Sequence, residues 1–111
     1  MKVFKTTSRE EFVVLHSTPT SQAAMMTLPP KGKSSEGSAN EHAWAEQWLY
    51  VLQGQGKCGK HHLEPGVLLL IEKGEPHEIE NTGDTPLVTL NVYAPPAYDD
   101  EGEPMYGGTK L

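Results

Sequence analysis

The chain has 111 residues, a formal net charge of −6 and one cysteine, Cys58. That length suits a single domain that buries one core of its own. The lone cysteine excludes an internal disulfide framework and fits a reducing compartment. The acidity argues against nucleic acid as a partner, since that binding is carried by clustered cations. The start, Met1-Lys2-Val3-Phe4-Lys5-Thr6-Thr7, has no apolar core of signal-peptide length. The longest strongly apolar run, Val67-Leu68-Leu69-Leu70-Ile71, is far too short to span a membrane. The expectation is a cytoplasmic protein with no membrane or nucleic-acid partner.

Eleven glycines and nine prolines divide the chain into short segments. Ser8, with Glu11 three residues on, could cap one helical turn. Phe12–His16 is apolar and rich in β-formers, and Gln22–Leu28 reads as a strand stopped by Pro29-Pro30. Lys31–Asn40 is loop, dominated by Gly, Ser and Lys. Gln47–Gln53 is a strong strand. Gly54-Gln55-Gly56 and Glu64-Pro65-Gly66 are turns around a short strand, and Val67–Glu72 is a buried strand. Pro76–Asn81 alternates as a strand, Thr82–Pro86 turns, and Leu87–Ala94 is a long strand halted by Pro95-Pro96. Strands recurring at roughly 8–12 residues indicate a sandwich or barrel. Residues 97–111 begin with the acidic stretch Asp99-Asp100-Glu101-Gly102-Glu103 and read as a flexible acidic tail of a single domain over 1–111.

Two segments carry the chemistry. Gly66, five residues, Glu72, Lys73, Gly74, two residues, His77, three residues, Asn81 resembles the second motif of the cupin superfamily, G(x)5PxG(x)2H(x)3N, with Glu72 in place of the proline. Ser34 to Gly54 resembles the first, G(x)5HxH(x)3,4E(x)6G. There His42 takes the second histidine, Gln47 the glutamate and Gly54 the closing glycine. Asn40 stands for the first histidine and Ser34 for the opening glycine. The resemblance implies an all-β fold, an antiparallel jelly-roll β-barrel. It also implies a divalent-metal site (zinc, nickel, iron or manganese) with His42, Gln47 and His77 as metal ligands. Imidazole suits such ions, but Gln47 and Asn40 remove charge and an imidazole from the family set, which weakens metal binding. Glu46 is an alternative to Gln47, because the family spacing tolerates three or four residues after the histidine. Glu41, Glu72 and Glu75 are further acids within reach.

Strand parity places Gln47, Leu49 and Val51 on one face and Trp48, Tyr50 and Leu52 on the other. The large outer residues need a cover, either the N-terminal strands or a second subunit; the expectation is a homodimer. His77, Ile79 and Asn81 share a face, with Asn81 tying the following turn. The expected ligand pocket is lined by Asn40, Met26, Leu49, Val51 and Ile79.

Other patterns carry less. Gly54-Gln55-Gly56-Lys57-Cys58-Gly59 matches G-x-G-x-x-G but lacks the helix that a dinucleotide site requires, so its glycines fit a hairpin. His61 and His62 are adjacent on a strand, face opposite ways and suit a surface. Cys58 reads as a surface or half-buried thiol. Two function classes follow. One is a small-molecule-binding cupin with a divalent metal, open to being a metal-dependent enzyme on a small polar substrate. The other is a metal-free binding module for a sugar or organic acid, favoured by the amides at positions 40 and 47.

Overall fold

The computed structural model describes residues 1–34, 44–106 and 109–110. Among the described residues ten strands form: β1 (Phe12–Ser17), β2 (Gln22–Leu28), β3 (Glu46–Gln53), β4 (Gly56–Cys58), β5 (His61–Leu63), β6 (Leu68–Ile71), β7 (Ile79–Asn81), β8 (Leu87–Ala94), β9 (Met105–Tyr106) and β10 (Thr109–Lys110). A five-stranded sheet runs β1-β2-β8-β3-β6, a three-stranded sheet runs β5-β4-β7, and β9 pairs with β10. Every pairing is antiparallel. The fold is therefore the expected all-β jelly roll.

Residues paired across antiparallel strands share a face, so the registers lay out the inside of the barrel in rows. One row is Gln22–Tyr93–Gln47–Ile71, the next Ala24–Asn91–Leu49–Leu69, and the third Met26–Thr89–Val51. Phe12 and Val14 extend the third and second rows onto β1. Across from them stand Leu63, Cys58 and Ile79 of the small sheet. These close a core with Leu28, Leu49, Val51, Ile71 and Leu87. The alternation read along β3 holds: Gln47, Leu49 and Val51 are buried, while Trp48 and Tyr50 are exposed.

Several sequence motifs do local structural work. Gly54 has φ +95°, and a Cβ there would strike the Pro86 carbonyl, so the motif's closing glycine is a steric requirement at the β3 end. Glu72 replaces the motif proline and uses the N–H that proline lacks: it donates to Glu75 Oε1 (3.1 Å), while Glu75 N–H returns a bond to the Glu72 carbonyl (3.0 Å). Gly74, with φ +72°, completes that turn. Asn81 is fully buried and ties its neighbourhood together. Its Nδ2 donates to the carbonyls of Leu28 (3.0 Å) and Thr85 (2.9 Å), and its Oδ1 accepts from Gly83 N–H (2.8 Å). The G-x-G-x-x-G stretch is the turn and hairpin of β4 and β5.

Two expectations change. No helical turn forms near Ser8; its hydroxyl instead accepts the Glu10 N–H (3.3 Å), which serves a bend. Cys58 is more buried than a surface or half-buried thiol, 7% exposed within the core, because β4 pairs it with Ile79 on the inner face. In the segment 97–111, Ala97 is fully buried and Tyr98 packs on Phe12 (ring centroids 4.8 Å apart) and Tyr93 (5.2 Å).

Asn81→Ala removes three hydrogen bonds and orphans buried carbonyls. The expected cost is about 2–4 kcal/mol, read as a lower urea midpoint at unchanged slope. Burial pushes the Cys58 thiol up; a hydrogen bond involving the Glu78 backbone opposes this, and the Glu75 charge adds to it. A thiol raised in the folded state is fully stabilising below its unfolded value, near pH 8.5, and that contribution is lost as pH rises towards the folded value. Melting temperature should therefore fall from pH 8 to pH 10 with a steeper slope in the native chain than in Cys58→Ala. Equal slopes would remove Cys58 as the cause.

Candidate functional site

A cavity of about 220 Å³ opens inside the barrel. Its apolar wall includes Phe12, Met26 and Ile79, and its polar groups include Gln47, His77 and Tyr98. Each arrives by strand parity. Gln47 and Tyr93 face each other on β3 and β8, Met26 stands on β2, and Ile79 projects from β7. Gln47, on β3, and His77, in the segment just before β7, both expected as metal ligands, thus line one cavity. His42 and Asn40 lie outside the described residues. Of the expected pocket, Met26 and Ile79 line this cavity, whereas Leu49 and Val51, on the same inner face, pack in the closed core.

Gln47 is 4% exposed. Its Nε2 donates to Asn91 Oδ1 (3.0 Å), and Asn91 Nδ2 donates to Thr89 Oγ1 (3.0 Å). That buried chain crosses the barrel floor and holds the Gln47 amide in place. Gln47 Oε1 is buried with no hydrogen-bond partner among the described residues. Glu46, the alternative acid, points to the outer face, where its carboxylate accepts from Trp48 Nε1 (3.2 Å).

His77 is held by its own loop. Its Nδ1 lies 3.0 Å from the Glu75 carbonyl, an acceptor only, so Nδ1 carries a proton. Ser34, where the motif has glycine, lines the cavity. Its hydroxyl accepts the Ile79 N–H (2.9 Å) and its own N–H donates to the Ile79 carbonyl (2.8 Å). Tyr93 is fully enclosed, and burial, then the adjacent Tyr98, pushes its phenol well above the usual range. It remains a neutral hydroxyl at physiological pH.

Among the described residues, no three His, Cys, Asp or Glu side chains come together to hold a metal ion. His77 also borders a second recess of about 560 Å³ that reaches Cys58, His61 and Glu75. His61 and His62 are exposed on β5 and pair with residues on opposite faces, Cys58 and Lys57; His62 sits 3.6 Å from Glu64. Lys33 and Lys57 lie 3.9–4.0 Å from Glu78 and Glu80 on the outer face of the small sheet.

Sequence reasoning missed Asn91, Tyr93 and Tyr98. The first two were within reach: in Leu87–Ala94 they share a parity with Leu87 and Thr89. Tyr98 gave no signal, because its acidic surroundings mark a solvated segment.

Solved structures share the fold. A protein of Bacillus halodurans superposes with a TM-score of 0.76 at 23% identity, covering 94% of this chain and 82% of that one. KdgF from a Halomonas species gives 0.69 at 17%, covering 77% of each chain. A predicted oxalate decarboxylase from Thermotoga maritima gives 0.65 at 26%, covering 77% and 79%. No curated protein matches the chain. Among the described residues no helix is long and apolar enough to cross a membrane. The family model "Cupin domain" matches residues 24–93, a span that holds the barrel floor and His77 together, and the chain belongs to that family.

Proposed function

We propose that the protein binds a small hydroxyl-bearing molecule, a sugar or organic acid, in the 220 Å³ cavity. Gln47 carries this reading. Its Nε2 is committed to Asn91, and its Oε1 is buried without a partner among the described residues. Such an acceptor costs about 1–3 kcal/mol, which a ligand hydroxyl would offset. The cavity falls below the roughly 300–1,000 Å³ of drug-sized sites, which points to a ligand of few atoms. Phe12, Met26 and Ile79 offer its apolar face a wall while Gln47 and His77 meet its polar edge. The predicted oxalate decarboxylase among the neighbours adds small organic acids to the ligands to try.

The tethered His77 favours a second reading, a metal-dependent enzyme. An Nδ1–H bonded to a carbonyl is the usual support for an imidazole that ligates through Nε2. His77 and Gln47 fit a divalent ion by donor type, with His42 joining them by its place in the first motif. Bound there, an ion would polarise a substrate oxygen. These donors are neutral, so this set compensates less of the ion's charge than the motif's glutamate would, and binding is weak.

Titration of a panel of monosaccharides, sugar acids and hydroxy acids, followed by amide NMR, tests the first reading. Shifts should centre on Gln47, Asn91 and His77, and Gln47→Leu should weaken binding about tenfold or more. A panel that moves no resonance in the native chain sinks it. Elemental analysis of untagged protein tests the second: any stoichiometric divalent ion should vanish in His77→Ala and persist in His61→Ala.

The outer sheet face supports a homodimer. Trp48 pairs with Leu70 and Tyr50 with Leu68, and these four side chains are 38–58% exposed as one apolar patch. The N-terminal strand β1 lies at the far edge of the sheet and does not cover them. Light scattering should give twice the chain mass, and Leu68→Glu combined with Leu70→Glu should halve it.

A further inference from the structure

Donors and acceptors are unevenly used around the 220 Å³ cavity. Three donors on its lining are engaged. Gln47 Nε2 bonds to Asn91, His77 Nδ1 lies 3.0 Å from the Glu75 carbonyl, and Lys33 Nζ lies 4.0 Å from Glu78 and 3.9 Å from Glu80. Two acceptors are open among the described residues. Gln47, which lines the cavity, has its Oε1 buried without a partner. Glu11, an exposed residue on the same lining, has a carboxylate with no hydrogen bond or ion pair. Its main chain is nonetheless fixed, because the Glu11 carbonyl accepts the Thr27 N–H of β2 (3.0 Å). Beside Glu11 stands an aromatic wall. Phe12 and Tyr98 have ring centroids 4.8 Å apart and inclined at 55°, and Tyr98 and Tyr93 are 5.2 Å apart and inclined at 70°. All three rings line the cavity. Aromatic faces attract a cation through their negative potential. The net charge of −6 adds a long-range pull of the same sign.

Resting on the hydroxyl-bearing ligand read above, we propose that this molecule also carries a cationic amine, as an amino alcohol or an amino sugar does. The ammonium sits at the cavity mouth, against the Glu11 carboxylate and the Phe12–Tyr98 wall, while the hydroxyl donates to Gln47 Oε1. An ammonium brings three donors and no acceptor, which complements what the site leaves open. A carboxylate brings acceptors only and would find the three donors named above engaged. Lys33, the lysine on the lining, does not reverse this preference, because its charge is shared between two glutamates.

Three diols of nearly one size test the charge. At neutral pH 3-amino-1,2-propanediol is a cation, glycerol is neutral and glycerate is an anion. Amide NMR titration of the full chain at low salt gives a dissociation constant for each. The aminodiol should bind about tenfold tighter than glycerol, and glycerate more weakly than glycerol. Sodium chloride at about 0.3 M should narrow the gap, because the Glu11 carboxylate is open to screening. Glu11→Gln should bring the aminodiol to within about threefold of glycerol, and Phe12→Leu should shrink the gap severalfold. Glu10→Gln, the same charge change one residue away, should leave the gap intact. Glycerate binding as tightly as the aminodiol, or a gap that survives Glu11→Gln, overturns the cationic assignment and leaves the hydroxyl reading standing. The assignment also falls alone if the diols are silent while sugars or hydroxy acids shift Gln47, Asn91 and His77. Silence across every probe removes both.

Discussion

The pairing of β3 with β8 is the constraint on which the rest of the molecule depends. β8 is the central strand of the five-stranded sheet, and its register against β3 places Gln47 opposite Tyr93 and Leu49 opposite Asn91. A slip of one residue would send Trp48 and Tyr50 into the barrel and Gln47 out of it. Apolar matching enforces the register, since Leu49, Val51 and Leu87 fill the core only in this alignment. The polar residues of the floor are carried into place by their apolar neighbours.

That placement has a cost, and its pattern is informative. A barrel interior of this size would be more stable with aliphatic residues at Gln47, Asn91 and Thr89 than with a chain of amides and a hydroxyl. Among the described residues the chain is satisfied at every link except Gln47 Oε1, which is buried without a partner. Rigidity is thereby invested in one oxygen atom. The bond from Gln47 Nε2 to Asn91 Oδ1 fixes the amide, so a side chain that lines the cavity is held in one arrangement.

Much of the architecture was legible from residue pattern. Gln22–Leu28 and Leu87–Ala94 have the bounds expected, because turn residues and prolines end the apolar runs sharply. The parity of β3 and the turn-tying role of Asn81 follow from a two-residue period and a side chain that mimics backbone. Depth was less legible than direction. Leu49 and Met26 share an inner face, yet one is sealed in the core and the other borders open space, because three-dimensional closure of the sheets separates them. The bonds that the buried Gln22 amide accepts from Ala97 and Tyr98 were invisible for another reason: these partners lie 75 and 76 residues away and are main-chain N–H groups, which leave no trace in side-chain pattern.

Strand β6 ends the five-stranded sheet, so one side of its backbone faces no neighbour among the described residues. Its sequence, Leu68-Leu69-Leu70-Ile71, has high β-propensity and no charge, the composition of a sticky edge. The turn that follows carries Glu72, Lys73 and Glu75. These charges stand where a growing stack of strands would have to dock and act as gatekeepers against it. Substitutions that neutralise this turn would leave the barrel intact and still lower the yield of soluble protein.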